Sequence, residues 1–438
     1  MTRADAARAA LVIGPAALAY VLVLVRRPTR PVLAGVLVSL AWNVPAVLLV
    51  NLLALRLGWW SFAPELPSFM GVAVEPWLGW VVLWGAVAPL AAWDRPAGVV
   101  VVAFVWSDLL AMPLLGPWLV LDASWPVGEA VAVALGLVPA VLLARWTARG
   151  EHLPRRVALQ VVAAGGLLFW VIPSLAVEAS GGWAAALAMP GWQLSLGAQV
   201  LALPAAVGVR AVIEFAHAGG GTPVPYDPPE RLVRTGPYAY VANPMQASIV
   251  VALAGGAALL GNALLAGGAV IAFVYGAGLA DWHENLQLGH RYGEAWTAYR
   301  ARVRAWIPRA RPAVFEEATL LVAFSCGTCS AVGRWFAVRR PAGLMISPAE
   351  EEPDDPGLRR ITYVAGSGRR YRGVAAVARA LEHIHLGWAL AGWVLALPGV
   401  VHVAQLISDV CAPGPQRVAG LPFDPAACQT PSRSGRNG

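Results

Sequence analysis

The chain has 438 residues, of which 58% are hydrophobic and 13% charged, roughly half the charged share of about 25% found in soluble domains. Its mean hydropathy is +0.61, and apolar runs long enough to cross a bilayer recur along most of its length, which excludes an ordinary soluble enzyme. The net charge is +7 and all 32 basic residues are Arg. Without lysine there is no Schiff-base amine, no P-loop lysine and no Ser/Lys nucleophile pair.

In chain order, membrane spans are predicted over residues 7–25, 31–55, 77–93, 98–121, 127–143, 157–176, 192–212, 244–260 and 263–279. The last two are joined by the turn pair Gly261-Asn262 into a tight hairpin. Arginines follow the odd-numbered spans: Arg26, Arg27 and Arg30, then Arg95, then Arg145, Arg149, Arg155 and Arg156, then Arg231 and Arg234. By the positive-inside rule the N-terminus is expected outside and the long C-terminal region in the cytoplasm, with Arg56 the exception among the outside loops and Arg3 and Arg8 at the start also against it. The basic excess belongs to these loops, and no nucleic-acid partner is expected. Asp108 falls inside the fourth span, where a carboxylate is costly; it is either functional or hydrogen-bonded to a neighbouring helix such as the one carrying Asn43. Trp59-Trp60-Ser61-Phe62 and Val74-Glu75-Pro76 are similar, over these few residues only, to loops of membrane carotenoid cyclases.

Beyond Pro312 the composition changes. Glu350-Glu351-Glu352 and Asp354-Asp355 read as solvated, 359–373 as a hairpin turning at Gly366-Ser367-Gly368, and 387–407, apolar enough for a tenth span, as two buried amphipathic helices around Pro398. The tail from Pro413, rich in Pro, Ser, Gly and Arg, is expected to be disordered.

The most specific segment runs from Gly219 to Pro312. It opens Gly219-Gly220-Gly221-Thr222-Pro223-Val224-Pro225, passes Pro228-Pro229-Glu230-Arg231-Leu232-Val233, and reaches Gly236-Pro237-Tyr238-Ala239-Tyr240-Val241-Ala242-Asn243-Pro244-Met245. After the hairpin come Glu284, Tyr292-Gly293-Glu294-Ala295-Trp296, Tyr299 and Val303-Arg304-Ala305-Trp306-Ile307-Pro308. In order and spacing these blocks resemble the isoprenylcysteine carboxyl methyltransferase and phospholipid methyltransferase family over about residues 155–312. The resemblance implies a cytoplasm-facing pocket for S-adenosylmethionine, built by Gly236, Pro237, Tyr238, Tyr240, Asn243, Pro244 and Met245 with Glu284 beyond the hairpin. It also implies a lipid or isoprenoid-type acceptor admitted from the membrane. Methyl transfer from a sulfonium is an in-line displacement that needs positioning and desolvation. Pro244 starts a helix whose N-terminus suits a ligand carboxylate, and Glu284 suits the ligand's amino group. The chain departs from the family at Ala239 and Ala242, where Arg is usual, at Gln246 and Ser248, where Tyr and Gly are usual, and at Asn285, where a second Glu is usual.

Leu320-Leu321-Val322-Ala323-Phe324 reads as a buried strand, followed by Cys326-Gly327-Thr328-Cys329 and a helix from Ser330. A CxxC at a strand-to-helix turn stabilises the first thiolate. With 371–381 and 397–400, the arrangement is similar to the DCC family of thioredoxin-like proteins over about residues 317–412. That family's leading Asp is Ala323 here, and its following Gly is Phe324. The resemblance implies a thiol–disulfide oxidoreductase, with Cys326 attacking, Cys329 resolving and a cellular thiol as reductant; two inert cysteines beneath the turn are the alternative. Cys411 and Cys428 make a poor second pair for zinc, and His283 and His290 are expected to be exposed, so no metal site is expected.

The expected architecture is a polytopic α-helical membrane protein of about nine spans with a C-terminal cytoplasmic α/β thioredoxin-like domain. Its parts are a five-span domain (1–150), a methyltransferase-like membrane domain (151–312), the thioredoxin-like domain (313–412) and a tail (413–438). Three functions stay open: a membrane methyltransferase, a membrane-anchored thiol–disulfide protein on an inactive methyltransferase-like scaffold, and a non-enzymatic lipid or isoprenoid binder.

Overall fold

The structure, a computed structural model, describes residues 3–222, 229–351 and 360–411. Pro223-Val224-Pro225, Pro228, Glu352, Asp354, Asp355, Cys428 and the tail from Pro413 lie outside the described residues. Among the described residues, eight helices are long and apolar enough to cross a membrane. They are α1 (Arg8–Arg26), α2 (Arg30–Leu57), α3 (Val74–Ala91), α4 (Ala97–Leu115), α5 (Trp125–Arg149), α6 (Leu153–Glu178), α7 (Gly191–Gly219) and, after the shorter α8 (Pro244–Leu260), α9 (Ala263–Tyr292). At 1.5 Å per residue, the 17 residues of α8 reach about 26 Å, short of the roughly 30 Å hydrocarbon core. The predicted eighth span is therefore a shorter apolar helix.

Most span boundaries move outward, because polar ends continue the helix beyond the apolar stretch. The fourth span moves inward instead. Its helix stops at Leu115, where Pro113, Gly116 and Pro117 break it, and Leu119–Leu121 forms a strand. That strand, β2, pairs antiparallel with β1 (Trp60–Phe62), in the register Trp60 to Leu121 and Phe62 to Leu119.

The chain divides into two compact units. The first comprises Met1–Gly197, Phe215–Glu230 and Gly256–Gly267. Its core gathers Leu48, Val50, Trp60, Trp77, Trp84, Leu137 and Val141 between α2, α3 and α5. Gly35 of α2 lies directly on the Ala144 backbone of α5, so any Cβ there would collide with it. Asp108 accepts a hydrogen bond from the Trp84 indole at 2.9 Å. The predicted tie to the Asn43 helix is thus replaced by one to α3, and both polar atoms of the Asn43 side chain are buried without a partner.

The second unit comprises Ala198–Glu214, Arg231–Gly255 and Gly268–Gly438. Its sheet has four strands: β3 (Ala318–Val322), β4 (Leu344–Pro348), β5 (Thr362–Val364) and β6 (Arg370–Arg372), in the spatial order β4-β3-β5-β6. β3 runs parallel to β4 and antiparallel to β5, and β5 pairs antiparallel with β6 as the predicted hairpin. The β3–β4 crossover is α10 (Gly327–Val338), and α11 (Val374–Leu381) follows β6. Leu320, Val322, Phe336, Tyr363 and Ala376 form the core between sheet and helices. Residues 387–407 do form two helices, α12 (Leu386–Leu395) and α13 (Val400–Cys411), bent by 88°. The expectation that both are buried fails for α13. None of its residues is buried, and Val403, Leu406, Ile407 and Val410 are exposed.

Candidate functional site

The motif blocks from Gly236 onward come together in the second unit through the backbone. Gly236–Ala239 makes one tight 3-10 turn, whose first residue has φ +62°. A Cβ at Gly236 would sit 3.1 Å from the Glu214 side chain, so both conformation and space select glycine. The turn leads into a segment laced to the residues after α9. Ala242 N–H donates to the Arg304 carbonyl at 2.9 Å, Asn243 N–H to Ala305 at 3.1 Å, Arg309 N–H to Tyr240 at 3.0 Å and Ala313 N–H to Ala239 at 2.9 Å. The Tyr299 hydroxyl donates to the Tyr238 carbonyl at 3.0 Å. Residues some 60 positions apart are thereby held in one layer, with Pro244 buried and Met245 half-buried at the start of α8.

Glu284 is half-buried on α9, and its Oε1 accepts from Gln246 Nε2 at 3.4 Å, one turn after Asn243-Pro244. Three buried polar atoms of these segments lack partners: Asn243 Nδ2, Gln246 Oε1 and Trp306 Nε1. A Cβ on Gly276 would meet the Trp306 ring at 2.7 Å and Gln246 Oε1 at 3.5 Å, which places both beside the α9 backbone. Asp281 is held apart by Arg300 at 3.3 Å and by Asn285 at 2.9 Å. Burial pushes the Tyr238 hydroxyl well above its ordinary range, with further upward pushes from Tyr299 and Glu284, so it stays protonated at neutral pH. Together these residues offer one carboxylate, one amide oxygen and two N–H donors. That set suits a ligand carrying both an ammonium and an acceptor group. Tyr240 is not brought to it: its hydroxyl donates to the Glu382 carbonyl at 2.8 Å and its ring packs edge-on to Trp393 at 5.5 Å.

Behind the Gly236 turn lies a buried cluster of four charges. Glu214 accepts from Arg379 at 2.6 Å and Arg210 at 2.9 Å, and Glu382 from Arg379 at 3.0 Å and Arg210 at 3.5 Å. The Thr235 hydroxyl also donates to Glu214, and Arg379 donates to the Tyr371 hydroxyl at 3.0 Å. These four residues are 1 to 7% exposed. The turn rests on a carboxylate fixed by an arginine 165 positions away. Arg210 and Glu214 escaped the sequence reasoning, although two charges four residues apart near the end of an apolar helix are a visible signal.

Cys326 caps the N-terminus of α10, with φ −98° and ψ 117°, and its carbonyl accepts from Ser330 N–H at 2.8 Å. Both thiols are free. Hydrogen bonding from the Cys329 backbone N–H holds the Cys326 thiol below its usual range, opposing a weaker upward push from burial. Burial pushes Cys329 up to about 12, helped by its bond to Cys326 and by the charges of Cys326 and Glu350. Glu350, expected to be a solvated residue, instead reaches this loop from the end of β4. Its Oε1 accepts from Ser325 N–H and Oγ, each at 2.8 Å. Nothing in the local sequence marks this contact, because it depends on β4 lying beside β3.

The comparisons add no relative: no protein-family model, no curated protein and no solved structure matches the chain.

Proposed function

We propose that this chain is a multi-pass membrane methyltransferase that takes its methyl group from S-adenosylmethionine and delivers it to a hydrophobic acceptor, isoprenoid or lipid-like. The observation that carries this reading is the hydrogen bond from Gln246, three residues after Asn243, to Glu284, together with the unpartnered Asn243 Nδ2, Gln246 Oε1 and Trp306 Nε1. Glu284 and Gln246 Oε1 suit the ammonium of the donor's amino-acid moiety, and Asn243 Nδ2 at the start of α8 suits its carboxylate. When bound, the donor supplies an already activated methyl sulfonium. The chain's own part is to bind, orient and exclude water. The arginine pattern supports an outside N-terminus and a cytoplasmic pocket and C-terminal domain. The division into parts at about residues 150, 312 and 412 belongs to the same proposal.

A specific observation also favours a second activity, thiol–disulfide exchange at Cys326 and Cys329. The opposed shifts of the two thiols and the strand order β4-β3-β5-β6 around α10 suit a thioredoxin-like unit. The Cys326 thiolate would attack a substrate disulfide and release one substrate thiolate. Cys329 would then close the internal disulfide and release the second, and a cellular thiol would restore the pair.

The methyltransferase reading is tested by incubating purified protein in lipid vesicles with methyl-tritiated S-adenosylmethionine and a host-membrane extract. The expected result is label in the organic-soluble fraction, reduced at least ten-fold by Glu284→Gln. Equal incorporation by wild type and variant would remove Glu284 from the reaction.

A further inference from the structure

The first unit holds a cavity that the methyltransferase reading leaves unused. It lies under the β1–β2 ribbon and is lined by Asn51, Trp60, Trp80, Trp84, Met112 and Glu129. Its volume is about 20 Å³, room for one or two non-hydrogen atoms. Glu129 lines this space, is 4% exposed, and its Oε1 is buried with no hydrogen-bond partner. Asp108, 2% exposed, is engaged by the Trp84 indole N–H at 2.9 Å, and among the described residues no arginine is paired with either acid. Asn51 is also committed, accepting from the Trp60 indole at 3.0 Å and donating to the Val47 carbonyl at 2.8 Å.

The surrounding helices shape the space around the indoles. Leu83–Val87 in α3 and Val133–Leu137 in α5 are one-turn π-helical segments, irregularities that recur at functional sites. Gly128 and Gly136 of α5 leave room for the rings. A Cβ at Gly128 would lie 2.7 Å from Trp59, and one at Gly136 would lie 2.9 Å from Trp84.

We propose that this cavity binds a small nitrogen cation of the ammonium class. A buried carboxylate without a counter-charge either takes up a proton or binds a cation, and the three indoles lining this site favour the cation. An alkali or alkaline-earth ion needs a shell of several oxygens, whereas among the lining residues Glu129 brings the only carboxylate, the Asn51 amide is committed to Trp60 and Val47, and the others are aromatic or apolar. Ammonium uses one N–H on Glu129 and places the rest against the indole-lined wall. Tetramethylammonium is too large for about 20 Å³.

The test is a thermal melt of the full-length detergent-purified protein in ammonium, sodium, potassium or tetramethylammonium chloride at constant ionic strength. At ten times its dissociation constant, ammonium is expected to raise the midpoint by roughly 3–6 °C relative to sodium. The rise should saturate, and potassium and tetramethylammonium should give none. Glu129→Gln removes the charge and Ala132→Leu fills the cavity without touching charge; each should abolish the ammonium shift while eluting as the wild type does. Equal midpoints in ammonium and sodium would overturn the proposal, as they would if the cavity held water alone. An undiminished shift in either variant would also overturn it. The result is independent of Glu284 and of methyl transfer.

Discussion

Replacing Arg379 by Met is expected to lower the melting midpoint by about 6–20 °C, the effect of losing about 3–5 kcal/mol from a unit of this size. The guanidinium bonds Glu214 and Glu382 at 2.6 and 3.0 Å and is 7% exposed. Its removal leaves two buried carboxylates against the single Arg210. The cost arises from that stranded charge more than from the lost pair, because a buried ion pair of good geometry roughly offsets its own desolvation. Combining Arg379→Met with Glu382→Gln restores one positive to one negative and is expected to recover part of the loss. A strictly additive double variant would contradict the cluster's coupling. Because Glu214 also supports Thr235 and the Gly236 turn, the single variant should weaken cofactor binding at temperatures where it remains folded. A midpoint within 2 °C of wild type, taken as roughly half a kcal/mol, would show that the cluster bears no such strain.

Iodoacetamide at pH 7 is expected to label Cys326 roughly thirty-fold faster than Cys329. The Cys329 thiol is raised to about 12 and the Cys326 thiol lies below the usual 9.0. The gap exceeds three units, about a thousand-fold in thiolate fraction at neutral pH. Lower basicity costs nucleophilicity with a Brønsted slope of about 0.5, which cancels about thirty-fold of that advantage. The sign with pH follows: labelling of Cys326 levels off once pH passes its depressed value, whereas Cys329 keeps gaining reactivity up to strongly alkaline pH. Glu350→Gln removes a negative charge acting on Cys329 and should narrow the difference. Peptide mass spectrometry of the labelled protein measures the ratio, and equal rates at pH 7 would indicate an inert pair.

Features whose cause is local were legible in the sequence. Runs of apolar residues marked the spans, and Gly366-Ser367-Gly368 marked a hairpin that pairs as Thr362 with Arg372 and Val364 with Arg370. The helix after Cys326 was placed within three residues of its start at Gly327. Features that depend on distant partners were not legible. The β1–β2 ribbon needs Trp60 and Leu121 to meet, and each strand is only three residues long, below the length at which alternation can be read. Asp108 announced itself as a costly intramembrane acid, but its partner was decided by packing, which brought Trp84 and not Asn43 within reach. The α13 helix reads as amphipathic from its sequence, yet pattern alone cannot say whether a covering surface exists, and its apolar side is exposed. Within the candidate site, Glu284 and Asn243 were named from the motif. Gln246, a departure from the motif, is the residue that bonds Glu284.

The pocket at Glu284 is best tested by equilibrium binding of S-adenosylmethionine to the detergent-purified protein beside Glu284→Gln and Tyr240→Phe. Loss of one charge-assisted hydrogen bond, about 1.5–3 kcal/mol, corresponds to roughly ten- to hundred-fold weaker binding. The expected result is saturable binding to wild type, weakened by that factor in Glu284→Gln and within about two-fold of wild type in Tyr240→Phe, whose hydroxyl serves Glu382 instead. Absence of saturable binding to a folded wild-type protein, or equal affinity in Glu284→Gln, would contradict the methyltransferase reading.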